Sequence, residues 1–256
     1  MIALSEDELL MSRLFRFRFN SKGNLDGHSF GNLFLTALAG VTGDFAEAVR
    51  LTSEVLAIKG VIYPSTNSQV ALRGQLSDDS WVHGETKIVS SGKRIKRVCL
   101  DHEDAKPLDA ALEAIASADV ITIGPGSLYT SLIPNLLVKG ITDAVMQSRA
   151  SKIYVQNIMT KPGETEGYSA VDHVEALMNH SSGKLLFSKV LLNSGQPSPQ
   201  VLAKYEAEGA DFVKIDRARL TAMGLDCVDR DLLSEDEVIR HDPDRLAAAV
   251  YEMATL

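Results

Sequence analysis

From Val120 to Ile123 four β-prone residues follow Asp119, the pattern of a strand buried on both faces. The run breaks at Gly124-Pro125-Gly126-Ser127, and Leu128, Leu132 and Leu136 then recur at helical spacing. The same rhythm organises the C-terminal half. Strands are predicted at Arg97–Leu100, Val120–Ile123, Lys152–Asn157, Phe187–Leu192 and Phe212–Ile215. Helices are predicted near Leu108–Ser117, Thr130–Leu137, Ile141–Ser148, Ala170–Asn179, Pro199–Gly209 and Asp242–Thr255. Such alternation predicts an α/β fold with a mostly parallel sheet flanked by helices, and places ligands outside the carboxyl ends of the strands.

The N-terminal part has a different pattern. Ser5, followed by acidic residues, reads as an N-cap, and Leu9, Leu10, Leu14 and Phe17 as a short amphipathic helix before a loop at Ser21–Asn24. Leu33 to Ala39 is a strongly apolar helix. Another starts at Gly43-Asp44, with Phe45, Ala48, Val49, Val55 and Leu56 on its buried face. Short strands follow at Val61–Pro64, Val70–Leu76 and Trp81–Ile88, with Ser77–Ser80 as a hairpin turn and Trp81 as a packing residue. This reads as a small antiparallel β insertion at about 60–96 within one α/β domain spanning 1–256.

Composition narrows the function classes. A net charge of -8 argues against general nucleic-acid binding, and Lys93-Arg94-Ile95-Lys96-Arg97 reads as a solvated edge strand. Cys99 and Cys227 lack metal-type spacing and fit small core residues in a reducing compartment. No apolar run reaches the ~18 residues of a membrane helix and no signal peptide opens the chain, so a cytoplasmic location without a membrane partner is expected. The six histidines show no metal-ligand spacing. Asp172-His173 and His241-Asp242 read as surface or capping pairs, and no G-x-S-x-G elbow is present. No catalytic residue and no metal ligand is therefore assigned.

The glycine turn is the first candidate site. Gly124 and Gly126 permit close backbone approach, and Ser127, Tyr129, Thr130, Ser131 and Asn135 can address phosphate or sugar oxygens. It is not a P-loop, since no Gly-Lys-Ser/Thr follows. Tyr129 also stands where a dinucleotide fingerprint needs its last glycine. A tight strand-to-helix turn with no ligand satisfies the same spacing. At Gly27-His28-Ser29-Phe30-Gly31-Asn32, the side chains of His28, Ser29 and Asn32 stand at a helix mouth. They either face one ligand, or Ser29 merely caps the helix and His28 packs beneath it. Two further strand ends carry polar clusters, with Asn157 and Thr160 in Gln156–Thr165 and Asn193 in Leu192–Gly195. Three polar ends in one sheet favour a site at its rim.

Three stretches now resemble one family over nearly the whole chain. They are Gly27-His28-Ser29-Phe30-Gly31-Asn32-Leu33, Gly124–Leu137, and Asn157–Thr165 with Gly167-Tyr168-Ser169-Ala170-Val171-Asp172-His173; Arg240-His241-Asp242-Pro243 adds to them. Together they resemble the CofD-like superfamily (UPF0052), in its YvcK branch of gluconeogenesis factors. The resemblance implies a modified Rossmann-like sheet, a homodimer and a pocket for a UDP-sugar such as UDP-N-acetylglucosamine. It implies a role in carbon metabolism and cell shape with no assigned reaction. In the CofD branch it implies instead a magnesium-dependent transfer of phospholactate to a deazaflavin. A scaffold with a vestigial pocket is a third reading. Under the first, Gly124, Gly126 and Ser127 supply phosphate donors, His28, Ser29 and Asn32 add polar contacts, and Asn157, Thr160 and Asn193 line the rim. Tyr205 and Arg240 either close over the base or sugar, or Tyr205 lies on the surface and Arg240 pairs with a carboxylate such as Asp236.

One departure stands out. The family's first strand, its Gly-Gly-Gly-Thr-Gly turn and its Asp-Asp-Gly-Gly stretch are absent from this sequence. The expectation is that Met1 is an internal start or the chain a fragment. Phosphate donors, magnesium ligands and a covered sheet edge would be lost with that segment.

Overall fold

The computed structural model describes residues 11, 13–15, 17–20, 23, 25–56, 58–235 and 238–255. The expected cap at Ser5, Leu9 and Leu10 of the first helix, part of the Ser21–Asn24 loop, and Asp236 lie outside the described residues. The chain forms two compact units, Met1–Ser68 with Pro107–Ala111, and Gln69–Lys106 with Leu112–Leu256.

In the first unit, helix α1 (Phe30–Thr42) starts at Ser29, whose side chain accepts from the Asn32 N–H, and stops at Gly43 with φ +69°. Phe15 meets Phe30 and Phe34 edge-on, and the latter two rings are tilted against each other. Although α1 is mostly apolar, none of its residues is buried. Helix α2 (Phe45–Val55) is capped by Asp44, which Asn67 also holds at 2.8 Å, and it buries Ala48, Val49 and Thr52. Val61–Pro64 is not a strand. It pairs with no ladder among the described residues, and Pro64 has no N–H to offer one.

In the second unit, strands β1 (Leu72–Leu76), β2 (Trp81–His83) and β3 (Ile95–Leu100) form an antiparallel sheet in the order β2-β1-β3. The hairpin turn at Ser77–Ser80 forms as expected. Strand β2 does not run on to Ile88, because Gly84 at φ +89° turns the chain into the short helix α3 (Glu85–Val89). Strand β3 was expected in the parallel sheet; it is instead an edge of this small one, with Lys93 and Lys96 paired to Asp78 and Asp79. Trp81 packs between Arg73 and Arg97, at 5.0 and 5.3 Å from its ring centre.

The elements that follow are α4 (Asp109–Ser117), β4 (Val120–Ile123), a π-helical turn (Leu128–Leu132), α5 (Ile133–Leu137), α6 (Ile141–Gln147), β5 (Ser151–Val155) and α7 (Ala170–His180). Then come β6 (Lys189–Asn193), α8 (Pro199–Ala207), α9 (Arg217–Ala222), β7 (Asp226–Arg230), the hairpin β8 (Leu233–Glu235)–β9 (Ile239–His241), and α10 (Pro243–Thr255). Strands β4-β5-β6-β7 lie in chain order and all run parallel. The α/β class is therefore as predicted.

Two further expectations are corrected here. Phe212–Ile215 does not join the sheet, because its backbone bonds to the loop beyond β5, with the Val213 N–H donating to Ile158 and the Thr160 N–H to Asp211. The fourth strand is β7, whose polar Asp226, Asp229 and Arg230 weakened its apolar signal. Strand β4 is not buried on both faces: among the described residues it is an edge, and only Ile123 of its four residues is buried.

The centre of the sheet carries the core. Ile153, Tyr154, Val155, Val190, Leu191 and Leu192 are all at most 1% exposed. Because side chains alternate along a strand, Tyr154, Val190 and Leu192 pack with Ile133, Val145 and Val174 of the helices on one face. Ile153, Val155 and Leu191 pack with Leu246, Ala249 and Met253 of α10 on the other. Each such side chain contributes about 1.5–3 kcal/mol on burial.

Three imidazoles are built into this framework. His180 Nε2 accepts from the Val98 N–H at 3.0 Å while Nδ1 donates to the Ala176 carbonyl at 2.7 Å, an arrangement that only the neutral ring satisfies. His173, expected on the surface, is fully buried, with Nδ1 2.8 Å from the Ser169 carbonyl; its neighbour Asp172 completes the capping box of α7. His241 Nε2 lies 3.1 Å from the Gln156 carbonyl. Burial holds all three below the ordinary histidine value of 6.5. Above that value folded and unfolded chains bind no different number of protons at these sites. Below it the unfolded chain takes up protons that the fold refuses, so stability falls as pH falls. Urea unfolding is expected to give a lower free energy at pH 5.5 than at pH 7.5, and equal values would contradict neutral buried rings.

Candidate functional site

The turn after β4 is held from the end of β5. Gly124 takes φ +85°, and a Cβ there would sit 2.9 Å from the Val155 carbonyl oxygen, so only glycine lets the two strand ends approach. Asn157 then grips the next glycine with both ends of its amide. Its Oδ1 accepts from the Gly126 N–H at 3.3 Å and its Nδ2 donates to the Gly126 carbonyl at 2.8 Å. A Cβ on Gly126 would meet Leu132 Cδ2 at 3.0 Å, so a larger residue there would require that leucine to shift by a few tenths of an ångström.

Beyond Ser127 the chain enters the π-helical turn, closed by the Leu132 N–H donating to the Ser127 carbonyl at 3.0 Å. A regular helix was expected from Thr130. Pro134 has no N–H for the Thr130 carbonyl, and α5 starts only at Ile133. The wide turn is fastened by Glu164, whose side chain is fully buried. Its carboxylate accepts from the Tyr129 N–H at 3.1 Å and the Thr130 hydroxyl at 2.7 Å, and forms an ion pair with Lys161. Lys161 Nζ also donates to Ser127 Oγ at 2.9 Å.

These loops form one wall of a cleft of about 500 Å³ at the carboxyl ends of β4 and β5. Gly126, Ser127, Asn157, Ile158, Met159 and Lys161 face Ile239, Arg240 and His241 of β9 and Pro243 and Leu246 of α10. The described lining contains two cations and no carboxylate. An open hollow of about 680 Å³ lies instead beside α4 and α6, on the amino side of the strands, with Asp143 and Arg149 in its lining. Ligands in parallel sheets sit at the carboxyl ends, so the smaller cleft is the candidate site.

Residues 1–233 match the family described as 2-phospho-L-lactate transferase CofD. The chain belongs to the CofD family. It is 45% identical over 253 residues to a gluconeogenesis factor from Halalkalibacterium halodurans, covering 98% of this chain and 78% of that protein. To the gluconeogenesis factor of Bacillus subtilis (strain 168) it is 43% identical over 252 residues, covering 98% and 79%. A crystal structure of a UPF0052 family member from Bacillus halodurans matches with a TM-score of 0.91 at 44% identity, over 98% of this chain and 80% of that one.

On this CofD-family framework, the cleft brings together four of the residues singled out from sequence, namely Gly126, Ser127, Asn157 and Arg240. The others have different places. Gly124 shapes the turn. Tyr129 is buried, its hydroxyl 2.8 Å from that of Tyr168, and burial pushes its phenol well above the ordinary range. Thr160 Oγ1 accepts from the Asp211 N–H at 2.7 Å. Asn193 is spent on the turn after β6, accepting from the N–H groups of Gly195 and Leu232 and donating to the Gly195 carbonyl. The Tyr205 hydroxyl accepts from the Ile239 N–H at 2.8 Å, so this tyrosine supports the strand that presents Arg240. In the first unit Ser29 caps α1, His28 Nδ1 is 3.3 Å from the Asp26 carbonyl, and Asn32 is exposed.

Lys161 and His241 were not assigned as site residues from sequence. Lys161 lay within the Gln156–Thr165 loop, whose Asn, Thr and Lys fit either a ligand loop or an ordinary solvated one. His241 belonged to a pair read as surface or capping, of which only Asp242 caps, accepting from the Arg245 N–H at 2.9 Å.

Asn157→Ala tests how the cleft is held together. It leaves both polar groups of Gly126 without their partner and is expected to cost about 1–3 kcal/mol. Chemical denaturation measures it, and an unchanged free energy would mean the turn stands without this clamp.

Proposed function

We propose that this chain binds a UDP-sugar such as UDP-N-acetylglucosamine, as a non-catalytic gluconeogenesis factor acting in the cytoplasm in carbon metabolism and cell shape. One observation carries the reading: a cleft at the strand ends whose described lining pairs Lys161 and Arg240 with apolar residues and holds no carboxylate. Cations and the Ser127 hydroxyl suit a diphosphate. Ile158, Met159, Ile239 and Leu246 suit the faces of a base or sugar ring. The names of the relatives agree with the carbon-metabolism part of the reading.

A phospholactate transferase is the second reading, favoured by the family description. The described cleft residues do not fit the magnesium ion that reaction would use. Hard cations take carboxylate oxygens, and the one buried carboxylate nearby, Glu164, is already engaged by three donors.

Isothermal titration with UDP-N-acetylglucosamine tests the proposal. Wild type is expected to bind, and Arg240→Ala to weaken binding by about 1.5–3 kcal/mol, the worth of a hydrogen bond to a charged group. A lactyl-guanosine diphosphate donor with a deazaflavin acceptor and magnesium is expected to give no product. Turnover there, or wild type that binds no UDP-sugar, would overturn the reading.

A further inference from the structure

Lys161 reaches the cleft through partners from another stretch of chain. Its ammonium donates to Ser127 Oγ at 2.9 Å, lies 3.4 Å from Thr130 Oγ1, and is ion-paired with Glu164. The Glu164 side chain is fully buried, yet that of Lys161 is 40% exposed. Such exposure weakens the pair while sparing the lysine part of its desolvation cost, and it leaves the side chain open to the cleft. Here the lysine is part of the cleft lining.

The direction of the hydrogen bonds matters more than the count of charges. Ser127 Oγ accepts from the ammonium, so its own proton is free to turn to another acceptor. Thr130 gives its proton to Glu164 at 2.7 Å, and its contact with Lys161 at 3.4 Å is the longest of the three. That contact is the weakest and the easiest to exchange. An oxygen placed beside Ser127 therefore meets two donors together, the serine O–H and one ammonium hydrogen. A charged phosphoryl oxygen gains most from such a pair. Its position is prepared in advance, since Glu164 fixes a side chain that is otherwise among the most flexible.

We infer that Lys161 and Ser127 form a phosphate subsite of this cleft, with Glu164 as the positioning residue that fixes the lysine. The inference rests on the nucleotide-sugar reading and assigns the groups that meet that ligand's diphosphate from the loop side, Arg240 lining the same cleft from β9.

Titration of wild type, Lys161→Met and Lys161→Arg with UDP-N-acetylglucosamine and with inorganic pyrophosphate tests it. Lys161→Met is expected to weaken both by about 10-fold or more, and Lys161→Arg to recover part of the loss by restoring the charge. If wild type binds the UDP-sugar and Lys161→Met binds it equally well, the subsite is overturned while the wider reading stands. If wild type binds no UDP-sugar, the wider reading fails. Pyrophosphate then decides the subsite: binding lost in Lys161→Met supports it, and no binding or retained binding overturns it. Should Lys161→Met not fold, the Lys161 ¹⁵Nζ resonance of wild type, identified by its loss in Lys161→Arg, serves instead. It is expected to shift when either compound is added, and an unmoved resonance overturns the assignment.

Discussion

One buried carboxylate joins the two loops from which the cleft is built. Glu164, from the loop after β5, holds the Tyr129 N–H and the Thr130 hydroxyl in the turn after β4, and pairs with Lys161 beside it. Burying such a charge is costly unless it is paired and hydrogen-bonded, and here a backbone N–H, a hydroxyl and an ammonium do both. The glycine turn has the form that attracts an anion to its backbone N–H groups. At Tyr129 the protein supplies that anion itself. The Ser127 side is left for an external anion on the proposed reading, and there the lysine and the serine hydroxyl line the cleft.

The opposite wall depends on two further hydrogen bonds. Tyr205 on α8 accepts from the Ile239 N–H, and His241 meets the Gln156 carbonyl at the end of β5. Between these anchors β9 carries Arg240. The sheet beneath is packed from both sides: β5 and β6 are covered by α10 on one face and by the larger helical core on the other. Polar residues gather at the strand ends because there the backbone leaves the ladder and side chains must satisfy it, as Asn157 and Asn193 do.

Much of this framework was legible in the sequence. The elements β4, β5, β6, α7 and α10 lie within a few residues of where periodicity puts them, because each carries a long apolar signal. The misplacements share a cause. Asp226–Arg230 forms a strand although polar residues dominate it, while apolar Phe212–Ile215 pairs with a loop; register partners far along the chain decided both. Ile95–Leu100 was recognised as a strand, but which sheet it enters depends on the β1 hairpin and not on its own residues. At the site, glycines and asparagines signalled where the chain turns. Whether a polar side chain faces a ligand or its own backbone was not legible. Thr160 and Asn193 face backbone, whereas Lys161, an ordinary loop lysine by composition, lines the cleft through partners 31 and 34 residues away.

The most direct measurement is a crystal structure of this protein grown with UDP-N-acetylglucosamine. The account places the diphosphate within hydrogen-bonding distance of Ser127 Oγ and Lys161 Nζ, with the Arg240 guanidinium in contact and the apolar residues of the cleft against a ring. Density for the ligand elsewhere, such as in the hollow beside α4 and α6, with the Lys161–Ser127 corner holding only water, would contradict it.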